Sequence, residues 1–113
     1  MGVFQYSSSK HGPITLITIG GSLDAETSPK FHGKIKGEIE KGAKKIVCNM
    51  GRLDYIASAG LGVLISANDE LSKLGGEIRL SAMNEKIMKI FKLLGFINLF
   101  KIFEDDQKAI DSF

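Results

Sequence analysis

The residues of this chain whose type and spacing suit chemistry gather around one serine. In the stretch RLDYIASAGLGVLISA, residues 52–67, a buried-looking run (Leu53, Tyr55, Ile56) meets Ser58-Ala59-Gly60, and an apolar helical pattern follows at once. A serine at the seam between a strand and a helix has two uses. Its hydroxyl can accept a hydrogen bond from a free N–H of the first helical turn, the ordinary capping role. The same position also suits a phosphoryl group, because a helix N-terminus carries free N–H groups and a partial positive charge. Phosphorylation would add about two negative charges there. Ala59, Gly60 and Gly62 are small, so a partner surface can approach closely. The result would be a binding switch that needs no catalytic residue in this chain.

Enzymatic readings fail on spacing. Gly60-Leu61-Gly62 lacks the third glycine of a dinucleotide fingerprint, with Ser66 near its place. It also lacks the lysine and hydroxyl residue that follow the second glycine of a P-loop. Ser58 is not in a G-x-S-x-G elbow, because Ile56 stands where the first glycine belongs. His11 falls in a predicted turn and His32 on a predicted helix, where solvated histidines are common. No His/Cys/Asp cluster has metal-ligand spacing. The chain is therefore read as a non-enzyme without metal or cofactor. Its one cysteine, Cys48, can form neither an intrachain disulfide nor a zinc site, and Ile46-Val47-Cys48 reads as a buried run.

The elements that must position Ser58 follow from periodicity. Residues 3–6 and 13–19 read as two strands around a polar turn, Ser7 to Gly12, with Pro13 opening the second. Gly20-Gly21-Ser22 breaks that pattern. Ser28-Pro29 is an N-cap and first-position signature, and Phe31, Ile35 and Ile39 share one helix face that stops at Gly42. Lys45 to Met50 reads as a strand. A second helix begins near Ser58 or Gly60, with Leu61, Leu64, Ala67, Leu71 and Leu74 on its apolar stripe and Gly75-Gly76 at its end. Residues 77–80 alternate as a strand. Asn84 caps a third helix carrying Ile87, Ile90, Phe91 and Leu94 up to Gly95. Leu99 to Phe103 reads as a last strand, and Ala109, Ile110 and Phe113 as a closing helix. The order β-β-α-β-α-β-α-β-α implies an α/β sheet with parallel neighbours after an N-terminal hairpin. Sites in such sheets favour loops at the carboxyl ends of strands, here Gly20 to Thr27 and Asp54 to Gly60.

Composition narrows the class. With 113 residues and 43% hydrophobic content, the chain suits one domain, residues 1–113. A net charge of +2 is too weak to argue for direct nucleic-acid binding, and Glu38 and Glu40 interrupt the lysines of residues 30–45. No apolar run approaches a membrane span, and the N-terminus lacks a signal-peptide core. Gly2 after Met1 fits the start of a myristoylation pattern, but Tyr6 holds the required hydroxyl position. These features point to a cytoplasmic protein with no membrane association.

Three stretches together carry a family resemblance over roughly residues 3 to 110. They are LDYIASAGLGVL, IGGSLDAETSPKF and GGEIRLSAMNEKIMKIFKLLGF. The chain resembles the STAS domains, most closely the small single-domain bacterial anti-sigma factor antagonists. The resemblance implies a mixed central sheet of about five strands with an N-terminal hairpin and four helices. It also implies partner switching. In that scheme the unphosphorylated antagonist binds an anti-sigma factor serine kinase and frees a sigma factor; phosphorylation releases it, and a PP2C-type phosphatase resets it. By motif position, Ser58 corresponds to the phosphorylated serine, Gly21, Leu23, Asp24 and Thr27 to the neighbouring loop, and Gly60 to the glycine opening the helix. Ala57, Ser58 and Ala59 complete the implied partner-binding set. Two departures stand out: Ala57 occupies the place where the family usually has Asp, and Ser22 a place where an acidic residue is common. A non-phosphorylated STAS scaffold subunit of a signalling or lipid-transport complex is the alternative role.

Overall fold

The computed structural model describes residues 3–113, so the Met1-Gly2 pair lies outside the described residues. Its order is β1 (Gln5–His11), β2 (Ile14–Leu23), α1 (Ser28–Glu40), β3 (Lys45–Ile56), α2 (Ser58–Lys73), β4 (Glu77–Ser81), α3 (Glu85–Leu93), β5 (Lys101–Phe103) and α4 (Asp106–Asp111). One five-stranded sheet runs β1-β2-β3-β4-β5. The first pair is antiparallel and the rest are parallel. This is the alternating α/β order that the hydrophobic periods predict.

Strand alternation sets two packed faces. Ile17 and Ile19 of β2, with Ile46, Cys48 and Met50 of β3, join the main core beneath α1, α2 and α3. Ile14 and Val47 point to the other face, where Ala109 of α4 completes a smaller cluster. Burial pushes the Cys48 thiol up to about 12, with the Asp106 charge adding to it. The residue therefore behaves as a core hydrophobe, as its apolar neighbours imply. No helix among the described residues is long and apolar enough to cross a membrane.

Several boundaries differ from those read in the sequence. The hairpin turns only at Gly12-Pro13, with Gly12 at φ +64°, so Ser7 to His11 belong to β1 instead of to a turn. β1 is an edge strand whose polar side chains face out. Its ladder to β2, from Gln5↔Gly20 to His11↔Ile14, overrides the turn-like composition. Gly20-Gly21-Ser22 does not break β2, which runs on to Leu23. β3 likewise continues past Met50 to Ile56, paired there only with β2. Leu74 and Leu94 are not stripe residues of their helices; each is a C-cap and about half exposed. Leu99 is exposed and precedes β5, and Phe113 lies beyond α4, where Arg79 covers its ring at 4.0 Å.

Ser28 is not the N-cap of α1. Thr27 holds that position without a side-chain cap bond, because its hydroxyl is committed to the loop before it, and Ser28-Pro29 form the first turn. Asn84 caps α3 as expected, its Oδ1 accepting from Ile87 N at 2.9 Å. Its Nδ2 also donates to Leu53 O at 2.9 Å, tying the start of α3 to the far half of β3.

Candidate functional site

Two chain reversals meet at the carboxyl ends of β2 and β3. The register pairs Ser22 with Tyr55 and Leu23 with Ile56, so the two strands end side by side. Ala57 N then donates to Leu23 O at 2.8 Å. This bond holds the start of α2 against the segment that opens α1. The loops are shorter than the sequence suggests: four residues, Asp24 to Thr27, after β2, and Ala57 alone after β3.

Ser58 is the first residue of α2 and is exposed. It is not the cap, contrary to the simpler of its two sequence readings. Ala57 is the N-cap, in extended geometry at ψ 169°, and a methyl group offers no acceptor. The first turn carries no acidic residue. The first turn's N–H groups and the positive end of the helix dipole therefore meet no carboxylate from α2 itself. A phosphate on Ser58 would sit where such a group is best tolerated.

The neighbouring loop is pinned by Asp24 and Thr27. Asp24 Oδ1 accepts from Glu26 N and Thr27 N, each at 3.0 Å. Thr27 Oγ1 donates to Ser22 O at 2.8 Å and accepts from Asp24 N at 2.9 Å. The Thr27 N–H, followed by the Thr27 hydroxyl and the Glu26 N–H, holds the Asp24 carboxyl below its usual 3.8. A carboxylate with a depressed pKa stabilises its loop above the unfolded value, and the contribution fades as pH falls through the lower, folded value. In an acid titration, the Glu26 and Thr27 amide resonances should therefore move together with a midpoint below 3.8. Between about pH 5 and 8 they should stay flat. A midpoint at or above the ordinary value would show that these bonds do not hold the loop in solution.

The residues singled out in the sequence divide by exposure. Ser58 and Ala59 are exposed, and Asp24, Thr27 and Ala57 are half-buried. Gly21, Leu23 and Gly60, named with them in the partner-binding set, are buried. Their part is to shape the site. Leu23 is fully buried, and a Cβ on Gly60 would stand 2.7 Å from its Cγ and Cδ2, so glycine lets α2 start directly on top of Leu23. Neither histidine serves Ser58. His11 bonds Ser9 at the hairpin end, and His32 lines a shallow cavity of about 450 Å³ between α1 and α2, together with Ala59, Gly62 and Ser66. Among the described residues no group of three or more His, Cys, Asp or Glu is placed to hold a metal. Sequence reasoning missed the exposed Ala25 and Glu26 beside the site. It also took Tyr55 for a buried residue, whereas the residue is 45% exposed.

A mixed sheet with this order, and a serine opening the helix after its third strand, defines a class. The sequence matches the STAS domain family over residues 5–109, and the chain belongs to that family. Among its relatives, the anti-sigma-B factor antagonist of Bacillus subtilis is 27% identical over 86 residues, covering 76% of this chain and 78% of that one. Among solved structures, the anti-sigma factor antagonist SpoIIAA in its unphosphorylated form superposes with a TM-score of 0.79 at 25% identity, over 97% of this chain and 95% of the other. The phosphorylated form of SpoIIAA, a cell fate determinant of Bacillus, superposes at 0.73 with 25% identity, over 97% and 98%.

Proposed function

We propose that this chain is an anti-sigma factor antagonist whose binding is switched by phosphorylation of Ser58. The observation that carries the reading is an exposed hydroxyl on the first residue of α2, held beside the Asp24 loop by the Ala57–Leu23 bond, within a STAS fold. Similarity to SpoIIAA, solved with and without phosphate, supports it.

In this scheme the chemistry belongs to the partner, an anti-sigma factor serine kinase. Ser58 Oγ attacks the γ-phosphorus of ATP, its proton passes to a base on the kinase, and ADP leaves. This chain contributes position: a rigid helix start and an uncharged knob formed by Ala57, Ser58 and Ala59. After transfer, about two negative charges stand on a surface that had docked as neutral, and repulsion releases the partner. A PP2C-type phosphatase returns the serine to its docking form.

Ala57 alters the balance. An aspartate at an N-cap would itself accept from the first-turn N–H groups, whereas alanine leaves them to the phosphate and removes a carboxylate that a kinase could contact. The freed N–H groups support the phosphorylated form, while the lost carboxylate supports one alternative, a STAS scaffold subunit of a signalling or lipid-transport complex that is never phosphorylated.

Incubation with the anti-sigma factor kinase of the source organism and ATP should yield one phosphoserine by mass spectrometry, absent in Ser58→Ala. Ser58→Ala should bind the kinase within about threefold of the parent, while Ser58→Asp should bind at least about tenfold more weakly. An unmodified serine in a chain that still binds its partner would select the scaffold reading.

A further inference from the structure

On β3, next to the switch, Tyr55 lies outside the core. Strand alternation places residues 53 and 55 on one face. Leu53 is buried in the main core, so Tyr55 should follow it. The ladder to β2 shows why it does not. Gly21 pairs with Leu53 but Ser22 pairs with Tyr55, so Asp54 is an extra residue, a bulge. The bulge shifts the phase by one. Ile56, paired with Leu23, takes the core position, and Tyr55 is turned out of it. Bulges of this kind re-aim side chains beside functional sites.

The exported ring is left without internal partners. Among the described residues, the Tyr55 side chain makes no hydrogen bond and no aromatic or cation contact. Arg52 and Asp54 beside it are exposed, which gives an aromatic centre with a charged rim. Of the other large exposed apolar side chains, Leu74, Leu93 and Leu94 lie at helix C-termini and Leu99 before β5, whereas Val3 precedes β1 and shares a cavity with Asp24, Glu26 and Thr27. Among these residues Tyr55 is the one held within a strand at the carboxyl ends of β2 and β3, three residues from Ser58 and so within about 10 Å of it along the chain.

We infer that Tyr55 is the anchor by which the kinase partner recognises the unphosphorylated chain, its ring filling an apolar pocket on the kinase while Ser58 enters the active site. The inference rests on the proposed function and adds a specificity-determining residue to it. Aromatic side chains ringed by polar groups carry a disproportionate share of binding energy at interfaces. They do so with little loss of side-chain freedom. Tyr55 acts through binding and takes no part in phosphoryl transfer.

The test uses the full chain and the kinase that phosphorylates Ser58. Tyr55→Ala is expected to raise Kd by calorimetry about 30-fold, and to raise KM for phosphorylation in step while kcat stays within about twofold. Tyr55→Phe should stay within about threefold of the parent, since ring packing carries the contact. Because Tyr55 lies outside the core clusters, Tyr55→Phe should unfold at the parent temperature and Tyr55→Ala within a few degrees of it. An unchanged KM in Tyr55→Ala overturns the inference, as does a Tyr55→Phe variant as weak as alanine. If the parent chain is neither bound nor phosphorylated by the kinase, the proposed function itself fails, and this inference with it.

Discussion

Gly76→Ala is expected to lower the stability of the fold by about 3 kcal/mol. A Cβ there would stand 1.9 Å from the Lys44 carbonyl oxygen and 2.7 Å from its carbon. Both partners of the clash are backbone, so no rotamer relieves it. The position is fixed from two sides. Gly76 N donates to Leu71 O at 2.8 Å, closing the end of α2, and Lys44 O accepts from Glu77 N at 3.0 Å, ahead of the first rung of the β3–β4 ladder at Lys45↔Glu77. An added methyl must push β4 from β3 or unwind the turn after α2. For a chain of this size the loss corresponds to a melting point lower by roughly 15 °C. Thermal unfolding followed by circular dichroism measures it. A shift of only a degree or two would mean that the turn yields freely.

Gly60→Ala is expected to cost about 2 kcal/mol and, more tellingly, to impair the switch. Its Cβ would meet Leu23 Cγ and Cδ2 at 2.7 Å and Ile56 Cγ1 at 3.1 Å. Leu23 is fully buried and cannot swing into solvent, so the helix start must lift. Lifting it strains the Ala57–Leu23 bond and moves Ser58 relative to the Asp24 loop. Phosphorylation should then fall roughly tenfold or more in kcat/KM, because small displacements at a reacting group are costly. Gly62→Ala is the control. It lies on the same helix, and outside its chain neighbours and the helix's own backbone nothing stands within 4 Å of the new Cβ. It should be neutral or stabilising by up to about 1 kcal/mol, by helix propensity. Equal behaviour of the two variants would refute the steric argument.

The order of elements was legible because each amphipathic run carries its own period. Phe31, Ile35 and Ile39 mark one helix face, and Ile87 and Phe91 another, and all five are buried. Asn84 announces the start of α3 by local chemistry alone. Boundaries were less legible where pairing, not composition, decides. Ser7 to His11 look like a turn and become a strand because β2 offers them a ladder. The second half of β3 looks irregular because two register shifts interrupt its alternation.

Ser58, as the residue to question, could be found from sequence: a hydroxyl at a strand–helix seam followed by small residues is a local signal. What its surroundings do with it was not local. By itself the sequence determined the α/β alternation, the core faces of the helices and the serine, since each depends on spacing within one segment. Only the tertiary structure decided three further points. Ala57 and not Ser58 caps α2; Leu23 fills the space that Gly60 leaves; and a bulge at Asp54 turns Tyr55 outward. All three depend on how β2 and β3 align, and no single segment encodes the register between two strands.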